Sequence, residues 1–236
     1  MCNCLKMGTS PAKNVFEEEE QGLIHETYYI GFGRNHASFN DIEIVKACGT
    51  EYSASKLDEV AKRLSLNIKN HGSHSRIEEA FAKFSSVSEL RVAGILLGQG
   101  KNANKLDLLY SVFSQGQIDA NQLQALLKAV CKVSLDIFGN LGADGQTNKA
   151  GRLRSDHYIS ICKQAEDRWV QSCKDAYTIP NSKEAFINTF IDKRELTSPQ
   201  YFRRHCFSFA KANPQGALSK TSTSSAFSRL RTQQNP

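Results

Sequence analysis

Residues 120–137 place Leu123, Leu126, Leu127, Val130, Val133 and Ile137 at steps of three and four, one apolar stripe along one side of a long helix. Such a helix needs partners to cover that stripe. The surrounding sequence supplies them in kind. Residues 41–48 and 55–66 repeat the spacing, the latter through Leu57, Val60, Ala61 and Leu64, with Ser53 or Ser55 placed to cap it. Residues 76–84, 88–97, 105–113 and 155–177 read as further helices. Pro180 ends the last of these, and Asn181 or Ser182 caps a helix carrying Phe186, Ile187 and Phe190. A final short helix is expected near 200–210. The breaks fall at 67–75, 98–104, 115–116 and the glycine-rich 139–151. Only residues 27–32 (TYYIGF) look strand-like, and one isolated strand cannot build a sheet. The expected fold class is therefore all-α.

The helices are separated by loops of a recurring form. Two apolar residues five apart, each leading into a helical stripe, occur at Phe39/Ile44, Val87/Val92, Ile118/Leu123 and Leu153/Tyr158. These match positions 8 and 13 of an EF-hand, in which position 8 pairs with its neighbour loop. The clearest copy is residues 110–130, where Gly116 falls at loop position 6. The expectation is an EF-hand-like paired helix-loop-helix bundle with degenerate loops. The calcium chemistry is missing from those loops. Calcium wants oxygen ligands at positions 1, 3, 5 and 12. The first frame offers Phe32, Arg34, His36 and Glu43 there. The second has Arg91 at position 12 and the third has Gln122. The fourth has Gln146, Asn148, Ala150 and His157. No metal site or cofactor is expected.

Residues 90–130 (LRVAGILLGQGKNANKLDLLYSVFSQGQIDANQLQALLKAV) resemble the middle of neuronal-calcium-sensor-like EF-hand proteins. With the VSLDIFG stretch at 133–139, they look most similar to the helical N-terminal region of TLDc-domain proteins. The resemblance spans roughly residues 30–190. It departs where a TLDc domain would follow, because the sequence there is a polar tail. It implies a regulatory or scaffold module, and no ligand residue of either family has a counterpart here.

Four segments follow: a polar and acidic N-terminus at 1–20, a first EF-hand-like pair at 21–100, a second pair with C-terminal helices at 101–210, and a basic Ser/Thr/Gln tail at 211–236. That tail lacks the apolar content to order itself. No run of about 18 apolar residues exists to span a membrane. The seven cysteines form no pair of CxxC motifs, and Cys48, Cys131 and Cys162 sit at helical spacing among apolar residues, as reduced core thiols do. A cytoplasmic chain is expected. Weak membrane-surface contact would come from S-acylation of Cys2 and Cys4 or from the basic tail.

Catalytic motifs are not legible, so no enzyme is expected. Residues 94–101 approach a phosphate loop, but Ile95 stands where its first glycine belongs and Asn102 where its Ser or Thr belongs. Gly31 and Gly33 lack the third glycine of a dinucleotide motif. His71 and His74 have no nearby thiol or carboxylate, and the adjacent His205 and Cys206 diverge on a helix. What remains is binding. Trp169, Phe186 and Phe190 are candidates to line an apolar groove for a partner protein's amphipathic helix, though packing into the core is the stronger expectation for each. Arg203, Arg204, Arg229 and Arg231 are candidates for a basic patch. The leading expectation is a calcium-independent adaptor or signalling module working through protein–protein interaction. The alternatives are a basic helical module for RNA or acidic lipid, and a calcium-binding signalling protein with atypical loops.

Overall fold

A computed structural model describes residues 16–68, 74–114, 116–141, 149–177 and 182–212. They fold into eleven α-helices and no strand, so the chain is all-α over the described residues. In order these are α1 (Glu17–Ile30), α2 (Ala37–Cys48), α3 (Ala54–Arg63), α4 (His74–Ala82), α5 (Val87–Leu97), α6 (Asn102–Phe113), α7 (Ala120–Cys131), α8 (Lys149–Lys163), α9 (Glu166–Ala176), α10 (Lys183–Phe190) and α11 (Pro199–Ala212). No described helix is long and apolar enough to cross a membrane.

The stretch 27–32 is not a strand. Residues 27–30 complete α1, which carries four glutamates in its first turn and stops at Gly31, whose φ of 105° makes a left-handed cap. The acidic start suits the positive end of the helix dipole, and the glycine terminates it without steric cost. Those two signals override the strand preference of Thr27, Tyr28 and Ile30. The reading of 139–151 as one long loop is corrected at both ends. Residues 138–141 form a 3-10 turn and α8 starts at Lys149. The expected long helix 155–177 is two helices, α8 and α9, joined at Gln164 and Ala165. The helix 120–137 is α-helical only to Cys131 and continues as a π-helical segment, Lys132–Ile137.

Local caps explain several boundaries. Ser86 accepts from the Glu89 amide, while the Glu89 carboxylate returns to the Ser85 amide at 2.7 Å. Asp119 and Gln122 form a reciprocal capping box on α7. Ser182 caps α10 as expected, accepting from the Ala185 amide. Ser53 stands at the N-cap of α3 but its hydroxyl makes no cap bond.

One apolar cluster runs through the described helices. α2 lies on α5, flanked by α3 and α6. The α2–α5 approach is close because Gly94 and Gly98 face it. A Cβ on Gly98 would fall 2.8 Å from the Ala37 Cα and 2.7 Å from the Gly94 carbonyl oxygen. There the Ala37 amide donates to the Gln99 carbonyl at 2.8 Å, and the Gln99 amide donates to the Asn35 carbonyl at 2.9 Å, making a short parallel bridge. Asp41 and Arg91 lock the same pair bidentately at 2.6 and 3.0 Å. Elsewhere Phe32, Phe81, Phe84 and Phe138 pack edge to face or stacked.

The expected loop frames meet this architecture unevenly. In the third, Ile118 is buried ahead of α7 and Leu123 is buried within it. In the first, Phe39 lies inside α2 and 45% exposed, and the inter-loop bridge is made by His36 and Gln99 instead.

Candidate functional site

The basic cluster expected on the surface is instead partly internal. Arg203 is 1% exposed and holds Glu20, itself 0% exposed, through its Nε at 2.9 Å and a second nitrogen. The Tyr158 hydroxyl donates to the same carboxylate at 2.9 Å. Arg203 also donates to the Ser134 carbonyl at 3.1 Å, within the π-helical segment. One buried node thus ties α1, α8, α11 and the π segment together. Burial opposes the Arg203 charge, but the Glu20 field and hydrogen bonds more than offset it, leaving its pKa raised. Burial, then Glu20, pushes the Tyr158 phenol up. Arg203 therefore cannot meet an external anion. Arg204 is half-buried and paired with Glu17 at 2.6 Å. Arg229 and Arg231 lie outside the described residues, as do Cys2, Cys4 and His71.

Trp169, Phe186 and Phe190 do not line an open groove. Trp169 packs edge-on against Phe202 with centroids 4.7 Å apart. Phe186 and Phe190 are fully buried against Tyr110 and Tyr177. The packing alternative weighed for each is the one found. The five described cysteines are buried and unpaired as disulfides. Desolvation pushes the Cys162 and Cys173 thiols up to about 12 and raises Cys48, Cys131 and Cys206 as well. Such thiols are inert rather than nucleophilic. Cys206 is buried while His205 is exposed, so the pair has no shared chemistry.

Lys105 is a second buried charge. It is 8% exposed, and its ammonium donates to the Leu96 carbonyl at 2.8 Å and the Thr197 carbonyl at 3.2 Å. Leu96 lies in the last turn of α5, where the helix end is electronegative. Desolvation lowers its pKa to about 8.

Two of the frame positions that calcium would need are otherwise engaged, while Gln146 and Asn148 lie outside the described residues. Glu43 is held by Lys46 at 2.8 Å and by Arg63 at 3.4 Å, and its carboxyl is lowered chiefly by the Lys46 hydrogen bond. Arg91 belongs to the Asp41 pair. Among the described residues no group of three or more His, Cys, Asp or Glu is arranged to hold a metal ion.

The feature that sequence reading missed is on the outer side of α2. Phe39, Ile42 and Val45 are 45%, 51% and 39% exposed, although Ile44 and Ala47 of the same helix are buried. Their spacing of three places them along one exposed side, about 9 Å from first to last at 1.5 Å per residue. A cleft of about 220 Å³ lies between the first turn of α2 and α6, lined by Ala37, Ser38, Gln99, Asn104 and Leu108 among others, and none of the three row residues is among its lining. A signal for it exists in the sequence. The run FNDIEIV puts apolar residues on both faces of one helix, whereas a helix that only covers a core has one apolar face.

Comparison with family models, curated proteins and solved structures found no match to this chain.

Proposed function

We propose that this chain is a calcium-independent helical adaptor that binds an amphipathic helix of a partner protein along α2. The observation that carries it is the row Phe39, Ile42 and Val45, three large apolar side chains on one helix that the described residues leave about half exposed. A helix-in-groove partner presents apolar residues at matching three- and four-residue steps. The cleft beside α6 gives it a place to seat one anchor. A second copy of this chain is a poorer occupant. A stable dimer needs about 800 Å² per partner, and three half-exposed side chains provide a few hundred at most. The regulatory role implied by the EF-hand and TLDc resemblance agrees with this reading. The third loop frame, with Ile118 ahead of α7, is the part of the EF-like expectation that the geometry favours. No enzymatic role is proposed.

Fully burying one such side chain gains roughly 1.5–3 kcal/mol, so closing the remaining half of three is on the order of 3 kcal/mol. That equals about a hundredfold in affinity. A photo-crosslinking residue at position 39 of the full chain is expected to mark one amphipathic segment in a cell extract. The synthetic peptide of that segment should then bind the wild-type chain with micromolar affinity and become helical. It should bind the Phe39→Gln/Ile42→Lys/Val45→Gln variant at least tenfold more weakly. Equal binding by the variant, or cross-links only to a second copy, contradicts the proposal.

A further inference from the structure

A second cleft, of about 630 Å³, opens beside the C-terminal end of α3. Its lining runs from Arg34 to Ile68 and lies wholly within the described residues. Ala61, Leu66 and Ile68 give it an apolar side, Ile68 fully buried and the other two half-buried. Arg34, Lys62 and Ser65 stand exposed around it.

The chain builds this cleft by reversing just after α3. Ser65 has a φ of 52°, which makes it the single non-glycine residue in the left-handed region among the described residues. A side chain is disfavoured there, so neighbours must hold the turn. The Leu66 amide donates to the Ala61 carbonyl at 2.8 Å, and the Asn67 amide donates to the Ile30 carbonyl at 2.9 Å. The Asn35 side-chain amide donates to the Leu64 carbonyl at 3.3 Å. These bonds fix the wall 64–68 against the 3-10 turn Phe32–Arg34, which carries Arg34. The cleft is therefore preformed.

Its cations are uncommitted. Arg63 is held by Glu59 and Glu43, but among the described residues neither the Arg34 guanidinium nor the Lys62 ammonium has a carboxylate partner. Asp58 also lines the cleft and has a partner of its own.

We propose that this cleft binds a small organic phosphate monoester with an apolar or aromatic body. Such an ester carries about −1.5 to −2 charges at neutral pH, which two cations match, whereas a carboxylate brings one. The Arg34 fork suits two of its oxygens and the Lys62 ammonium a third. The body then covers Ala61 and Leu66. The cleft volume falls in the range of small-molecule sites, roughly 300–1,000 Å³. Asp58 opposes the anion, which gives the site an electrostatic sign that can be read.

In phosphate-free buffer at about pH 7.5, phenyl phosphate should shift the amide resonances of Ser65, Leu66 and Asn67 of the full chain, saturating with a dissociation constant of about 0.1–1 mM. Inorganic phosphate should bind about tenfold more weakly, because it leaves the apolar side uncovered, and benzoate about as weakly, because it brings one charge. Arg34→Gln/Lys62→Gln should weaken phenyl phosphate binding at least about tenfold, with an unchanged thermal melt because both side chains are exposed and unpaired. Asp58→Asn should tighten it about two- to fivefold, a gain that damage to the fold does not produce. The proposal is overturned by absence of saturable shifts at about 10 mM, by cation variants that bind as wild type, or by Asp58→Asn binding no more tightly. Equal binding of inorganic phosphate would mean an adventitious ion only, and equal binding of benzoate would remove the phosphate assignment. Retention of the chain on phosphatidic acid vesicles, competed off by phenyl phosphate, would give the site to a lipid headgroup and overturn the small-molecule assignment. None of the α2 row lines this cleft, so each of these failures leaves the helix-binding proposal standing.

Discussion

Replacing Arg203 with methionine should destabilise the chain by about 3–5 kcal/mol, because it strands Glu20 as a buried carboxylate without its cation. Glu20 is fully buried, and its remaining side-chain donor would be the Tyr158 hydroxyl. The loss comes from the uncompensated charge rather than from any large intrinsic worth of the pair. Removing both charges should therefore restore most of it, with Glu20→Gln/Arg203→Met within about 1–2 kcal/mol of wild type. Tyr158→Phe should cost about 1.5–3 kcal/mol, the value of one hydrogen bond to a charged group. Urea denaturation of the four proteins decides the matter. A single variant costing under 1 kcal/mol would mean that water reaches the node and that α1, α8 and α11 are not held by it.

Lys105 predicts a stability that rises with pH. Its pKa in the fold is about 8, against 10.5 for the free side chain, and desolvation is the cause. Below pH 8 the ammonium is charged in both folded and unfolded chains, so the burial penalty is fully present. Above pH 8 the folded chain releases the proton first. The unfolded chain then binds more protons, and stability increases until about pH 10.5. The whole gain is about 3 kcal/mol, of which about 2 kcal/mol is reached by pH 9.5. The buried thiols and Tyr158 act in the opposite sense, because their raised pKa values let the unfolded chain ionise first. The measurement is accordingly a difference. Between pH 7 and 9.5, wild type should gain about 2 kcal/mol on Lys105→Met, whose pH profile lacks this group. Parallel profiles would show that the ammonium is hydrated.

Legibility of the sequence followed the range of the interactions involved. The α7 stripe, the α10 cap at Ser182 and the core role of Cys48, Cys131 and Cys162 depend on near neighbours, and each was readable. At the α1 terminus the aromatic and β-branched residues at 27–30 speak for a strand, while Gly31 and the four glutamates decide for a helix. Arg203 looked like a surface cation because its partner is 183 residues away. Nothing local announces a buried pair at that separation. Trp169, Phe186 and Phe190 had inward spacing, and the choice between core and groove turned on whether other helices cover them. The reverse holds at Phe39, whose place in the loop frame implies a pairing while the bridge is made by His36 and Gln99. A helix with apolar residues on two faces was the available sign, and it requires asking what covers each face.

The docking role of α2 has a direct test that needs no partner. If Phe39, Ile42 and Val45 are kept for another molecule, the isolated chain gains from them only what their already buried halves contribute, on the order of 3 kcal/mol. The Phe39→Gln/Ile42→Lys/Val45→Gln variant should then lose no more than about 3 kcal/mol in urea unfolding. If another part of this same chain covers the row, the variant should lose about 6 kcal/mol, the scale of removing three fully buried apolar side chains, and the adaptor reading would be contradicted.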